Sequence, residues 1–374
     1  MYGAQLIAEL RRREPETEFF GAGGQSMRQA GCDTVVPAED LAVVGITEIL
    51  SHLPKIYNRF HHLIKTAEKR RPDVAVVIDS PAFNWRVARE MRRLGVPVVY
   101  YVCPQFWAWR QGRVRLLQRY VTKALVIFPF EEQFYRTRGV DTTFVGHPLA
   151  ALSVPTSSRE AYAAEYRVDV AKDWVTIMPG SREKEVSRNL PTILETVRLA
   201  GWSHEYLLPV ASTLKRSFLE SFLKHPLPVR LVPDARAALA HSRAGIIASG
   251  TATVEAAMIG TPFVMVYRVS QLTYLLGRSQ VKVPHFAMVN LIAGEEVVPE
   301  LVQHDFTPQK VLAHLNAILP YGPVRGKMLA GFDKVKARLQ GSDPQGRTPA
   351  AHAADIILQQ VRERRADAPS VLHS

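Results

Sequence analysis

The sequence predicts an α/β protein made of two doubly wound halves, each a parallel sheet covered by helices. Three observations carry this. Short, β-branched, non-alternating apolar runs alternate with helical patterns along most of the chain, the mark of parallel strands buried on both faces. The alternation stops after Pro148-Leu149, crosses a weakly periodic linker at Ala150–Arg159, and restarts at Trp174. A length of 374 residues is enough for two domains of ordinary size.

In order, Gly3–Arg13 (GAQLIAELRRR) reads as an amphipathic helix. The strands Phe19–Gly21, Thr34–Pro37, Val74–Asp79, Val96–Cys103, Ala124–Phe128 and Thr143–Gly146 follow, with helical patterns between most of them. The second half offers strands Trp174–Met178, Tyr206–Val210, Val229–Val232, Ile246–Ala248 and Phe263–Tyr267. The expected domains are 1–149, rejoined by a C-terminal helix over about 345–366, and 150–344. In such halves the ligand lies outside the carboxyl ends of the strands, which places the expected site in the cleft between them.

Composition narrows the class. Hydrophobic content of 47% and charged content of 22% fit a soluble globular protein. Cys32 and Cys103 give neither a disulfide framework nor a metal cluster, so a reducing compartment is expected. No signal-peptide pattern opens the chain. The charge of +12 is uneven: Trp85–Lys123 holds nine Lys/Arg against Glu90 alone. That face suits anionic lipid, a phosphorylated substrate or nucleic acid, and equally a solvated helix surface. No nucleic-acid motif accompanies it, so nucleic acid ranks last.

Within Ile46–Ala67 the apolar Ile46, Ile49, Leu50, Leu53, Ile56, Tyr57, Phe60, Leu63 and Ile64 recur at helical spacing, with basic residues opposite. Pro54 reads as the opening of a second helix capped by Ser51. The stripe fits a core-facing helix or a surface resting on a membrane.

Five segments carry candidate chemistry. The stretch Ala244–Tyr267 reads as strand, Ser249-Gly250-Thr251 turn, helix and second strand. Such a turn aims N–H groups and a helix start at one spot, favouring an anion such as a diphosphate, with Glu255 a turn further on in reach of neighbouring hydroxyls. The bland reading is an ordinary strand–turn–helix. A second turn, Gly180-Ser181-Arg182 after Met178-Pro179, adds a guanidinium to the same kind of cradle. Asp79, at the carboxyl end of its strand, suits a general base or a helix cap. In Pro104–Arg110 (PQFWAWR), Trp107 and Trp109 suit sugar stacking or acyl contact and Arg110 a phosphate, or the segment is a hydrophobic wedge. Asn290, in an apolar loop, suits a bond to a base or phosphate, or a cap.

Taken together these segments resemble the lipid-A-disaccharide synthase family. The resemblance rests on Gly21–Cys32, LAVVGITEIL (Leu41–Leu50), VVIDSPAFN, YYVCPQFWAWR, FVGHPL (Phe144–Leu149), MPGSREKEV, ASGTATVEAAM and NLIAGEEVVPELVQ, and it covers nearly the whole chain. It implies a GT-B glycosyltransferase: two Rossmann-like domains facing a cleft, moving diacylglucosamine from its UDP derivative to 2,3-diacylglucosamine 1-phosphate and releasing UDP. It implies no metal or other cofactor. It places the protein in the cytoplasm, peripheral on the anionic inner face of the membrane, and favours a homodimer. Gly180, Ser181, Arg182, Ser249, Gly250, Thr251 and Asn290 match donor-site positions, Glu255 the ribose position, and Asp79 the proposed base. Ile49, Leu53, Tyr57, Phe60, Trp107, Trp109 and Arg110 are the expected lipid- or acceptor-facing set.

Two departures stand out. The family opens with a strand and a Gly-Glu-x-Ser-Gly-Asp loop that this sequence lacks, so Met1 is expected to be an internal methionine of a longer protein. Ala82 stands where relatives often carry a second Asp, leaving Asp79 alone. Competing expectations are a peptidoglycan GlcNAc transferase or UDP-GlcNAc epimerase of the same fold, and a non-catalytic UDP-sugar-binding remnant.

Overall fold

A computed structural model describes the chain apart from residues 1, 41–45, 152–156, 271–282, 341–344 and 368–374, and describes only the backbone at 39, 46–53, 151 and 367. The chain divides into two compact units, Met1–Pro148 with Gly341–Ser374, and Leu149–Gln340.

Unit 1 runs α1 (Tyr2–Arg13), β1 (Phe20–Gly23), α2 (Gln25–Gln29), β2 (Asp33–Pro37), α3 (Ile46–Arg70), β3 (Ala75–Ile78), α4 (Pro81–Arg93), β4 (Val98–Tyr101), α5 (Val114–Tyr120), β5 (Lys123–Val126), α6 (Pro129–Arg136) and β6 (Thr142–Phe144). Strands β3-β4-β5-β6 form a parallel sheet in sequence order, and β1-β2 pair as a separate parallel ribbon. Both contribute to one core, in which Val36 of β2 joins Val77, Val98 and Val126 and the buried stripe Leu63, Ile64 and Ala67 of α3. The strands lack alternation because Val98, Val99, Ala124, Leu125 and Val126 are buried whichever side they face. The C-terminal helix Pro349–Asp367 packs on α1, where Arg13 Nε donates to Asp355 Oδ1 at 2.8 Å. It is also pinned at its end by Arg364 Nη1, which donates to the carbonyl of Pro72 at 2.8 Å.

Pro54 does not open a new helix. It lies inside the single helix Ile46–Arg70. A proline removes one backbone donor and crowds the preceding turn, at a cost of about 3 kcal/mol; packing of the stripe further along the same helix outweighs that local preference.

Unit 2 runs α7 (Arg159–Tyr166), β7 (Asp173–Met178), α8 (Glu183–Ala200), β8 (His204–Pro209), α9 (Arg216–Glu220), β9 (Val229–Val232), α10 (Ala235–His241), β10 (Ala244–Ala248), α11 (Thr251–Ile259), β11 (Phe263–Tyr267), α12 (Met288–Ala293), β12 (Glu300–Val302), α13 (Pro308–Ile318) and α14 (Pro323–Gln340). Its sheet is parallel throughout, in the order β12-β11-β10-β7-β8-β9. This is the dinucleotide-fold order, in which the chain leaves the central strand first toward one edge and then toward the other. Every residue of β10 is buried, and α8 packs with α13 and α10 with α11.

Candidate active site

The order of the unit 2 sheet fixes where a ligand can sit. The direction reverses between β7 and β10, which pair directly, with Met178 opposite Ile247. At such a switch point the loops leaving the two strands diverge and open a crevice. Gly180-Ser181-Arg182 leaves β7 and Ser249-Gly250-Thr251 leaves β10, so the two glycine turns stand side by side.

Each glycine is required where it stands. Gly180 has φ +130°, and a Cβ on it would meet the Cβ of Glu185 at 2.7 Å. Gly250 has φ +145° and caps α11 with no side-chain partner among the described residues. Ser181 N–H donates to Glu185 Oε2 at 3.1 Å, and Arg182 Nη1 to Glu185 Oε1 at 2.7 Å. Arg182 is otherwise in solvent, its side chain 79% exposed. Ser249 Oγ donates to the Phe286 carbonyl at 2.8 Å, Thr251 is exposed, and Glu255 accepts from Arg236 Nε at 2.7 Å. The arrangement sets N–H groups, a helix start and the exposed Arg182 guanidinium side by side, with a carboxylate one turn away.

Asn290 is placed differently from expectation. It is fully buried, and its Oδ1 accepts from the N–H groups of Val297 (2.8 Å) and Val298 (3.0 Å). Its Nδ2 donates to the Val298 carbonyl (2.9 Å) and Glu300 Oε1 (2.8 Å). All four bonding capacities are used, so the geometry makes it a staple in place of a ligand contact. Glu300 in turn accepts from Phe286 N–H at 2.8 Å. Asn290 thereby steadies the carbonyl that Ser249 bonds.

The sequence reading missed Asn189, fully buried in α8, whose Nδ2 donates to the Pro179 carbonyl at 2.8 Å and whose Oδ1 accepts Arg268 N–H at 3.0 Å. It fastens the β7 turn to the end of β11. A polar residue on the apolar stripe of a helix was its only signal.

In unit 1, Asp79 leaves β3 in the left-handed region, φ +48°, followed by Ser80 at φ +43°. Two consecutive non-glycine residues there cost about 1–2 kcal/mol each. The backbone is held by its neighbours: the Asp79 carbonyl accepts from Tyr100 Oη at 2.8 Å and Asn84 Nδ2 at 2.6 Å. The carboxylate itself is exposed and makes no hydrogen bond among the described residues. The capping alternative is not seen, because α4 starts at Pro81 with no side-chain cap. Burial, and then the charge of Asp79, pushes the Tyr2 hydroxyl above its usual range.

The expected lipid-facing set separates. Trp107 is buried, its indole N–H donating to Glu131 Oε1 at 2.8 Å with Phe130 edge-on at 4.8 Å. It is a core anchor, because the indole donor finds a buried acceptor there and its ring a hydrophobic wall. Phe60 packs on the core against Phe83 at 6.0 Å. Trp109 is 47% exposed under the Arg110 guanidinium, 4.4 Å away, and Tyr57 is 63% exposed. The side chains of Ile49 and Leu53 lie outside the described residues. The basic run stays exposed at Arg86, Arg89, Arg113, Arg115 and Arg119, with Arg86 4.7 Å from the Trp85 ring. Among the described residues no group of three or more His, Cys, Asp and Glu could hold a metal, and no helix is long and apolar enough to cross a membrane.

Comparison with known proteins fits this geometry. The family profile described as lipid-A-disaccharide synthetase matches residues 1–342. The lipid-A-disaccharide synthase of Koribacter versatilis is 52% identical over 362 residues, covering 96% of this chain and 94% of the relative. That of Acidobacterium capsulatum is 45% identical over 380 residues, covering 98% and 94%. Among solved structures, the calicheamicin glycosyltransferase CalG4 superposes with a TM-score of 0.58 at 16% identity over 98% of this chain and 95% of its own. The UDP-GlcNAc 2-epimerase of Neisseria meningitidis superposes with a TM-score of 0.58 at 12% identity over 96% and 95%. At such identities the two structures speak for the GT-B fold alone. On the profile match and these relatives, the chain belongs to the lipid-A-disaccharide synthetase family.

Proposed function

We propose that the chain condenses UDP-2,3-diacylglucosamine with 2,3-diacylglucosamine 1-phosphate, giving lipid A disaccharide 1-phosphate and UDP. The observation that carries the donor half is the pair of glycine turns at the β7/β10 switch point of unit 2. The diphosphate takes the N–H groups around Gly180, Ser181, Gly250 and Thr251 and the Arg182 guanidinium, and Glu255 takes the ribose hydroxyls. Ser181 N–H and Arg182 exchange Glu185 for the diphosphate, and these donors meet the charge that develops on departing UDP.

Asp79 supplies the base. Its free, exposed carboxylate accepts the proton of the acceptor hydroxyl as that oxygen bonds to the donor sugar's anomeric carbon and the bond to UDP breaks. Strain in the left-handed pair Asp79-Ser80, held by Tyr100 and Asn84, supports a functional role for this turn. Trp109, Tyr57 and the exposed arginines support contact with an anionic membrane surface carrying the acylated substrates.

The test is a transfer assay with both substrates. Asp79→Asn is expected to lose transfer by at least about a hundredfold while binding UDP as the wild type does. Undiminished transfer by this variant excludes Asp79 as the base.

A further inference from the structure

We infer that Arg236 is the positioning residue for the ribose end of the donor, holding the Glu255 carboxylate in the orientation that receives the nucleotide hydroxyls. The inference rests on the donor-site reading above. Arg236 lies in the first turn of α10, where Asp234 caps the helix by accepting the Arg236 N–H at 2.8 Å. Its backbone is therefore fixed before its side chain reaches anything. From there Nε donates to Glu255 Oε1 at 2.7 Å, in a pair whose side chains are 36% and 19% exposed.

The two helices form a frame closed at both ends. Just beyond α11, Thr261 Oγ1 donates to the Leu239 carbonyl in α10 at 2.7 Å. Ala238 and Ala257 are fully buried, and α10 packs on α11. The Arg236–Glu255 bond closes the frame at the end nearer the helix starts, the side on which the Gly180 and Gly250 turns lie.

What remains open is informative. Among the described residues, Oε2 of Glu255 and both terminal nitrogens of Arg236 make no further bond. A carboxylate has about four acceptor directions, and Arg236 occupies one. A glutamate without such a partner samples several rotamers, and ordering it on binding costs conformational entropy. Held through Nε, the carboxylate has Oε1 anchored and its rotamer restricted, with Oε2 left for a hydroxyl. A lysine at 236 keeps the charge and loses the fixed Nε–H that meets Oε1.

Calorimetric titration with UDP and with 2′-deoxy-UDP tests this on the full chain. The wild type is expected to prefer UDP, and Glu255→Gln to lose the preference. Arg236→Gln is expected to weaken UDP binding about tenfold and to leave 2′-deoxy-UDP within about twofold, so the preference collapses although Glu255 is intact. Arg236→Gln/Glu255→Gln is expected to bind UDP no more weakly than either single variant. Arg236→Lys, which keeps the charge and guards against misfolding of the glutamine variant, is expected to lose the preference too. If both Arg236 variants keep the UDP preference while Glu255→Gln loses it, the inference fails and the ribose role of Glu255 stands. If Glu255→Gln keeps the full preference, the ribose reading fails and takes the inference with it.

Discussion

Substituting Gly180 by alanine tests the turn after β7 at the level of its backbone. At φ +130° an L-residue carries strain of about 1–3 kcal/mol. Its Cβ would lie 2.7 Å from the Cβ of Glu185 and 2.8 Å from its Oε2, closer than real contacts, so Glu185 must move. With it goes the bond that accepts Ser181 N–H at 3.1 Å, worth about 1 kcal/mol at this half-exposed place. Against these losses, alanine narrows the unfolded ensemble and returns about 0.4–1 kcal/mol. The net expectation is a loss of about 1–3 kcal/mol, from those same contributions. Gly250→Ala is the internal comparison. Gly250 has φ +145° and nothing within 4 Å of a Cβ, so it carries the strain without the displacement and loses about 1 kcal/mol less. Urea unfolding of the three proteins gives the comparison, and UDP titration shows whether the opened Gly180 turn also weakens binding. Equal losses for the two variants, or a Gly180→Ala protein as stable as wild type, would refute the reasoning.

The remaining expectations concern pH. Burial pushes the Glu131 carboxyl from 4.5 up to about 8, against the pull of Trp107 and the N–H groups of Phe128 and Ile127. Burial likewise lowers His147 from 6.5 to about 4. Folded Glu131 keeps a proton that the unfolded chain gives up, so its contribution falls as pH rises from about 4.5 to 8. Folded His147 refuses a proton that the unfolded chain accepts, so its contribution falls as pH drops from about 6.5 to 4. The two oppose each other between those limits, and from pH 6.5 to 8 Glu131 acts alone, removing at most about 2 kcal/mol. Urea midpoints against pH are expected to fall over that upper range in wild type and to flatten in Glu131→Gln; an identical slope in both sinks the assignment. His147→Asn is expected to lose less stability than wild type as pH falls from about 6.5 to 4, with His204 and His241, which burial also lowers, still contributing a loss there; an identical loss in both proteins contradicts it.

What could be read from the sequence was whatever depends on near neighbours. Parallel strands buried on both faces leave unbroken apolar runs, and β7, β10 and β11 were visible for that reason. The two glycine turns were visible because a positive-φ glycine between a strand and a helix is a local necessity. What escaped was decided by partners far along the chain. Trp107 turned inward because Glu131 offers a buried acceptor 24 residues later. Asn290 became a staple because Val297, Val298 and Glu300 fill its bonds, and no periodicity reports that. Phe60 belongs to a stripe whose core and membrane readings look alike until Phe83 packs on it. The left-handed Asp79-Ser80 pair carried no glycine to announce it, and Arg236 reads as one more surface arginine until α10 lies against α11.

The central claim is that the paired turns at the β7/β10 switch bind the donor's diphosphate. Arg182 puts it most at risk, since among the described residues its 79% exposed guanidinium is held by Glu185 alone. Calorimetric titration of UDP into wild type and Arg182→Ala, at low and high salt, measures it directly. A single UDP site in wild type, weakened about tenfold or more in Arg182→Ala and with less salt dependence, is the predicted result. Equal UDP affinity in the two proteins at both salt concentrations would contradict it.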